Sequence, residues 1–316
     1  MPLELPKADD LRIVRSLCHF LFRSNNRQAT VEDLGAWLAE RAADGLGHEW
    51  RRTRVYHYTS AARELGLVSK PNPHAFELTA KGCEMVEANP KLPLTLAPLN
   101  EAEKVLFWEL LPTYEAVRKA LTLFMRSGIP PNSLDEFVAL GQPVKISRKT
   151  NDRFKLTSAD NLSHDLGLTE KGSFAWTLYS WLKTLDAADD IYEENTASFI
   201  LKERTIRVFY PIRIKSLFIE DLRARLLTEA SRTNQRVAVF FIPQLLCDIC
   251  ANEGIRKLEF LNGLVELNNQ DPIQFHLEMM SSLRRDSRGF QYYKYLNFPE
   301  VKGVLRSHLW ISSRTR

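Results

Sequence analysis

An α+β fold, mainly helical and with short β-hairpins, is what the sequence predicts. Three observations carry this expectation. Segments with apolar residues at helical spacing recur along the chain. Short β-rich runs bounded by prolines, glycines or charged turns stand between them. The order of helices followed by a hairpin comes round three times, over 9–90, 100–212 and 213–316. A shared phrase, Leu-Thr-x-Lys-Gly in FELTAKG (76–82) and GLTEKG (167–172), hints at the repeat. It follows the hairpin in the first round and precedes the last helix in the second. The unit recurs, but the phrase is not its marker.

The bulk numbers agree with this. At 316 residues the chain is too long for one ordinary core. With 44% hydrophobic and 26% charged residues it belongs among globular proteins rather than disordered ones. No apolar run reaches the roughly 18 residues of a membrane span. The start, MPLELPKADD, lacks the basic-then-apolar pattern of a secretory leader. Four cysteines, Cys18, Cys83, Cys247 and Cys250, are few for this length and fit a reducing, cytoplasmic setting. The net charge of +4 permits nucleic acid without demanding it. Its distribution says more. Arg51, Arg52 and Arg54 cluster, as do Lys145, Arg148, Lys149, Arg153 and Lys155, and again Arg284, Arg285 and Arg288, whereas acids gather in DAADDIYEEN (186–195).

The first round opens with a helix over 9–23, its apolar stripe Leu11, Val14, Leu17, Cys18 and Leu21. SNNRQA breaks it. Thr30 and Asp33 then resemble a capping box at the head of VEDLGAWLAERA. After the turn ADGLGHE, residues 49–68 form a third helix. Trp50, Tyr58, Ala61, Ala62 and Leu65 can face inward, leaving the arginines and His57 largely outside. Pro71 and Pro73 place a turn between two short strands, and a further helix runs from Gly82 to Pro90. NPKLPLTLAPLN (89–100), with three prolines, suggests a semi-rigid linker over 91–99.

The second round has helices at 100–111, 113–127 and 133–140, the last with Ser133 and Glu136 in capping-box positions. Residues 142–171 show no period and form a basic insert. A strong helix follows over 172–187, with Phe174, Trp176, Leu178, Trp181, Leu182 and Leu185, then two strands around KER within 197–212. In the third round a helix over 216–233 leads to the strand VAVFFI. Pro243 opens a helix that Gly254 ends. The helix 255–270 has Leu258, Leu261, Leu264, Val265 and Leu267 as its core stripe. DPIQFHLEM and GFQYYKYLNF are strands joined by SSLRRDSR.

Each round resembles a winged-helix domain. LGLV…FELTAKG is similar to the usual close of that fold: third helix, hairpin wing, polar exit. Three in a row resemble tandem winged-helix DNA-binding proteins, nearest the recognition half of certain type IIS restriction endonucleases, which is built of three such subdomains. FAWTLYSWLKTLDAADDIYEENTASFIL (174–201) resembles the tryptophan-bearing third helix and wing of their middle subdomain. The likeness covers most of the chain in element order and only short stretches in residues. Plasmid replication initiators and some bacterial defence proteins also use tandem winged helices. The resemblance implies three modules with short hairpin wings: 1–90, then after the linker 100–212 with its basic insert, then 213–316. It implies sequence-specific binding of double-stranded DNA, by a regulator or by the recognition subunit of a restriction, defence or replication system, without catalysis and without a cofactor.

In such a fold the third helix enters the major groove, where each base pair shows a distinct donor pattern. Arg51, Arg52, Arg54 and His57 then become candidates for bases or phosphates. Arginines at a helix start oppose its dipole, a mild cost that hints at use. In the second module the candidates are Ser173 and Thr177 on the outer face of the third helix, and Lys145, Arg148, Lys149, Arg153 and Lys155 in the insert. In the third they are Arg256 and Lys257 on the helix and Arg284, Arg285 and Arg288 in the wing. For every cluster the alternative is an ordinary solvated surface.

Other chemistries have less behind them. Cys247 and Cys250 form a CxxC without a second ligand pair, inside a helix, so packing is expected rather than zinc. His19 lies on an apolar helix and is expected to pack. A metal nuclease would need converging acids and a lysine on a hairpin. Asp271 and Glu278 flank a strand, but Met280 stands where lysine is required. No phosphate-cradling loop or nucleophile elbow is present. The competing function class is a winged-helix interaction subunit of a DNA-processing complex, partnered by a protein such as a nuclease or ATPase subunit. There the outer faces would be apolar or acidic.

Overall fold

Asp10 sets the start of the first helix, its carboxylate accepting the Arg12 backbone N–H at 2.9 Å. From there α1 (Leu11–Arg23) buries the stripe expected of it: Leu11, Val14, Leu17, Cys18 and Leu21. The structure is a computed structural model and describes residues 8–40, 52–72, 75–91, 95–149, 154–156, 173–193, 204–279 and 298–312. Its contacts gather into two compact units, 1–140 with 158–188, and 141–157 with 189–316. The expected module boundaries near residues 90 and 213 both fall inside a unit. No described helix is long and apolar enough to cross a membrane.

In the first unit, β1 (Gln28–Thr30) passes straight into α2 (Val31–Glu40). The Asp33 N–H donates to Thr30 Oγ1 at 3.1 Å, and the Thr30 N–H donates to the Asp33 carboxylate at 3.0 Å. This is the expected capping box, a device worth about 1 kcal/mol. The same donors hold the Asp33 carboxyl below its usual range. In α3 (Arg52–Glu64), Val55, Tyr58, Ala61 and Ala62 face inward. The Tyr58 hydroxyl donates to Asp9 at 2.6 Å. Gly66, at φ 72°, ends the helix: the Leu67 N–H turns back to the Ala62 carbonyl at 2.9 Å, a left-handed exit that glycine adopts without strain. β2 (Val68–Asn72) and β3 (Ala75–Leu78) follow, and the sheet order is β1-β3-β2, antiparallel. α4 (Ala80–Glu87) packs so closely behind it that a Cβ on Gly82 would lie 2.3 Å from the Leu67 carbonyl oxygen.

The proline-rich stretch after α4 is held against α1 where it is described. Thr95 and Leu99 are buried. Arg15 donates to the Thr95 and Ala97 carbonyls at 3.1 Å each, and Arg12 donates to Leu96 at 2.9 Å. Arg15 also faces Glu103 at 3.7 Å, both side chains fully buried. Prolines remove backbone donors and leave carbonyls to be satisfied by side chains, here by guanidinium groups. Glu103 belongs to α5 (Glu101–Leu110), and α6 (Glu115–Leu121) and α7 (Leu134–Leu140) complete the run. α8 (Ser173–Thr184) also belongs to this unit: Trp181 is buried and its indole N–H donates to the Ala8 carbonyl at 2.5 Å.

The expected end of that helix at 187 is corrected. It stops at Thr184, Asp186 takes φ 59°, and the Ala187 N–H returns to the Leu182 carbonyl at 2.9 Å. This repeats the Gly66 exit. The acidic stretch then becomes a strand, β6 (Ala188–Glu193). The basic insert, expected to be irregular, contributes β4 (Val144–Lys149) and β5 (Phe154–Leu156). β7 (Arg204–Pro211) pairs along the whole of β4, from Val144↔Phe209 to Lys149↔Arg204. The sheet order is β5-β4-β7-β6. Local periodicity did not reveal β4, whose long pairing is with β7, far along the chain, and β5 is a three-residue strand beside it. The expected strand before KER lies outside the described residues.

The rest of the second unit follows expectation more closely. α9 (Ile219–Arg232) leads to β8 (Val237–Phe241) and α10 (Ile242–Leu245), which continues through a π-helical turn, Leu246–Ala251. Cys250 is buried there, Cys247 is half-buried, and the four cysteines form no disulfide. Gly254 ends the segment at φ 72°. α11 (Lys257–Gln270) buries Phe260, Leu261, Leu264 and Leu267, but Leu258, expected in the core, is 58% exposed. After β9 (Phe275–Glu278) and a small hairpin of β10 (Glu300–Val301) and β11 (Val304–Leu305) comes β12 (His308–Ser312), which the sequence reading missed. It is the central strand of the sheet β8-β12-β9. Apart from Phe298, the expected strand GFQYYKYLNF lies outside the described residues.

The three sheets share one arrangement. The first strand of each round pairs with the last, and the last with the second: β1-β3-β2, β4-β7-β6 and β8-β12-β9, with β5 added beside β4.

Candidate nucleic-acid interface

The helix α3 owes its outer face to a tight inner one. With Val55, Tyr58, Thr59, Ala61, Ala62 and Leu65 buried, the helical period turns Arg54, Tyr56, His57, Ser60, Arg63 and Glu64 outward. Arg54 is exposed and His57 half-buried, and both interact with neighbours. Arg52 opens the helix, with a side chain outside the described residues, as is all of Arg51. Arg63 pairs with Glu64 at 2.9 Å on the surface, a contact worth little in water. Tyr56, 46% exposed, was not anticipated, although it falls outside the inward stripe of the sequence. Nor was Lys70 of β2. Its ammonium lies 5.8 Å from the Tyr56 ring centre and 5.7 Å from that of Phe76. This cation–π arrangement ties the helix to the hairpin.

The middle group is distributed differently from expectation. Lys145, Arg148 and Lys149 are on β4 and Lys155 on β5, in backbone register with Val208, Thr205, Arg204 and Ser147 respectively. Arg153 lies outside the described residues. Ser173 is the first residue of α8. Thr177, expected on the outer face, is buried, 1% exposed. It stands one turn before Trp181, on the stripe that holds the helix inward.

In the last round the candidates on α11 are committed within the protein. The Lys257 N–H donates to the Asp189 carboxylate at 2.9 Å. Its ammonium donates to the Asp190 carbonyl at 2.7 Å and lies 3.4 Å and 3.7 Å from the Asp190 and Asp189 carboxylates. Both aspartates are buried and the lysine side chain is 13% exposed. The Arg256 N–H donates to the Ile214 carbonyl at 3.0 Å, and the Tyr210 hydroxyl to the Ile255 carbonyl at 3.0 Å. Carboxylates of β6 thus occupy the start of α11, where a helix dipole would otherwise take an anion. Lys257 is corrected from a surface contact to an internal clamp. The outward residues of α11 are Leu258, Asn262, Glu266 and Asn269. Arg284, Arg285 and Arg288 lie outside the described residues.

Among the described residues no three His, Cys, Asp or Glu side chains converge as metal ligands would. Comparison with protein-family profiles, curated proteins and solved structures gives no match for this chain.

Proposed function

We propose that the chain is a cytoplasmic, sequence-specific double-stranded DNA-binding protein of three tandem winged-helix modules. It acts as a regulator or as the DNA-recognition subunit of a restriction, defence or replication system, with no catalysis of its own. One observation carries this: three sheets with the strand order first-last-second, each with its second strand entered from a helix. In the first and second rounds that helix ends in the same left-handed exit, at Gly66 and Asp186. Around β1-β3-β2 the order is helix, strand, helix, helix, hairpin, and it returns around β8-β12-β9. The basic, aromatic outer face of α3 supports a major-groove role for the first module, with arginines anchoring phosphates or reading guanine. Binding to random-sequence duplex at two salt concentrations without metal tests this. Affinity that falls steeply with salt is expected. No binding at low salt would refute it.

A specific observation also favours a protein partner, such as a nuclease or ATPase subunit, for the last module. Its third helix presents Leu258, Asn262 and Glu266, and the outer row of its sheet is His276, Trp310 and Val239, in register across the three strands. In the first module the matching row is Ser69, Glu77 and Gln28.

A further inference from the structure

We infer that Tyr56 is a specificity-determining residue that reads the C5-methyl group of a pyrimidine in the major groove, a thymine or a 5-methylcytosine. The inference rests on the DNA-binding reading of α3 and adds a ligand chemistry to it. Tyr56 is the fifth residue of the helix, in the N-terminal half that reaches base edges in helix-turn-helix docking. Its neighbours on the outer face are Arg54 and His57, polar or charged groups that suit phosphates and purine acceptors. Among the described side chains of that face the phenol ring is the one apolar surface, and the one apolar feature of the major-groove edge is the pyrimidine methyl.

The ring is also preorganised. Val55 and Tyr58 anchor the helix on either side of it, both fully buried. The Lys70 ammonium sits 5.8 Å from the Tyr56 ring centre, and Phe76, 2% exposed, backs the same ammonium from the strand side. Tyr56 is thereby held towards the hairpin while remaining 46% exposed. This contact reduces the side-chain freedom the ring has to lose on binding. The cations Lys70 and Arg54 complement the phosphates flanking the base.

The test uses the full chain and a duplex site obtained by selection from a random pool. Each thymine is replaced in turn by deoxyuridine, and each cytosine by 5-methylcytosine. At one position the methylated base is expected to bind about fourfold tighter, the worth of one buried methyl group. A thymine position identifies thymine as the natural source, and a cytosine position identifies 5-methylcytosine. Tyr56→Ala should abolish the difference, whereas Tyr56→Phe should keep it. Lys70→Met should reduce it by loosening the ring. Equal binding of all four bases at every position would overturn the role of Tyr56 while leaving DNA binding intact. A methyl preference that survives Tyr56→Ala would also overturn it. No duplex binding by the unaltered chain would instead remove the reading on which the inference stands.

Discussion

The helices α3 and α11 hold the same place in the same element order and present opposite surfaces. α3 turns out Arg54, Tyr56, His57 and Arg63, whereas α11 turns out Leu258, Asn262, Glu266 and Asn269. The first turn of α3 begins with an arginine, and that of α11 is held by Asp189. Their inner faces are alike in kind, both apolar and buried. A repeat of element order is therefore not a repeat of surface: inner residues preserve the order, and outer ones set what each helix presents to solvent.

The largest expected effect falls on the clamp. Asp189→Ala removes the acceptor of the Lys257 N–H and one of the carboxylates facing its ammonium, in a site that is mostly buried. Leaving a buried charge half-matched costs about 3–5 kcal/mol. A fall of that size in unfolding free energy, measured by urea denaturation, is expected, and less when Lys257→Met accompanies it. An unchanged midpoint would mean that α11 stands without the clamp, and the contact at its first turn would carry no energy.

Acid should act on the other helix face. α1 buries His19 completely, with neither ring nitrogen hydrogen-bonded. Burial pushes its pKa down to about 4, helped by Arg15 and Arg23. The fold favours the neutral ring, so the unfolded chain binds the extra proton as pH falls. The stability is fully present above about pH 6.5 and lost progressively as pH drops towards 4, about 3 kcal/mol in all. His19→Leu should flatten that part of the pH profile. If both proteins lose the same stability between pH 6.5 and 4.5, the first unit does not depend on a neutral His19.

Next comes the outer face of α3. Arg52→Ala with Arg54→Ala should weaken duplex binding about a hundredfold, near 3 kcal/mol, and reduce the salt slope by about 2. Circular dichroism should be unchanged, since Arg54 lies on the exposed side. A double variant that binds like the unaltered chain would move the interface away from α3.

Much of this was legible in the sequence where the signal is local. The α1 stripe, the Thr30–Asp33 box and Gly254 as a helix stop all depend on residues within a turn of one another. What was missed depends on distant partners. β4 and β12 are strands because β7, β8 and β9 bind them, and neither carries a turn signal that reveals this. Lys257 looked like a surface cation, since nothing near residue 257 in sequence shows that Asp189, 68 residues away, accepts from it. Thr177 looked outward because hydroxyls are common on solvent faces, yet its spacing from Trp181 places it inside. At the candidate interface the arginine cluster was visible by composition, whereas Tyr56 was hidden beside Tyr58, the buried tyrosine two residues on.

The smallest effect is the most discriminating between α3 and α11. Leu258 is 58% exposed, so Leu258→Lys should change stability by no more than about 0.5 kcal/mol. The substitution adds a cation at the exposed second residue of α11, one position earlier in its helix than Arg54 is in α3. If α11 lies away from DNA, duplex affinity should change less than twofold and the salt slope should stay the same. If α11 enters a groove as α3 is proposed to do, the added lysine should neutralise a phosphate, steepen the salt slope by about 1 and tighten binding at low salt. The second outcome would make the clamp a way of presenting α11 to DNA rather than a replacement for DNA at its first turn, and the two helices would then differ in degree and not in kind.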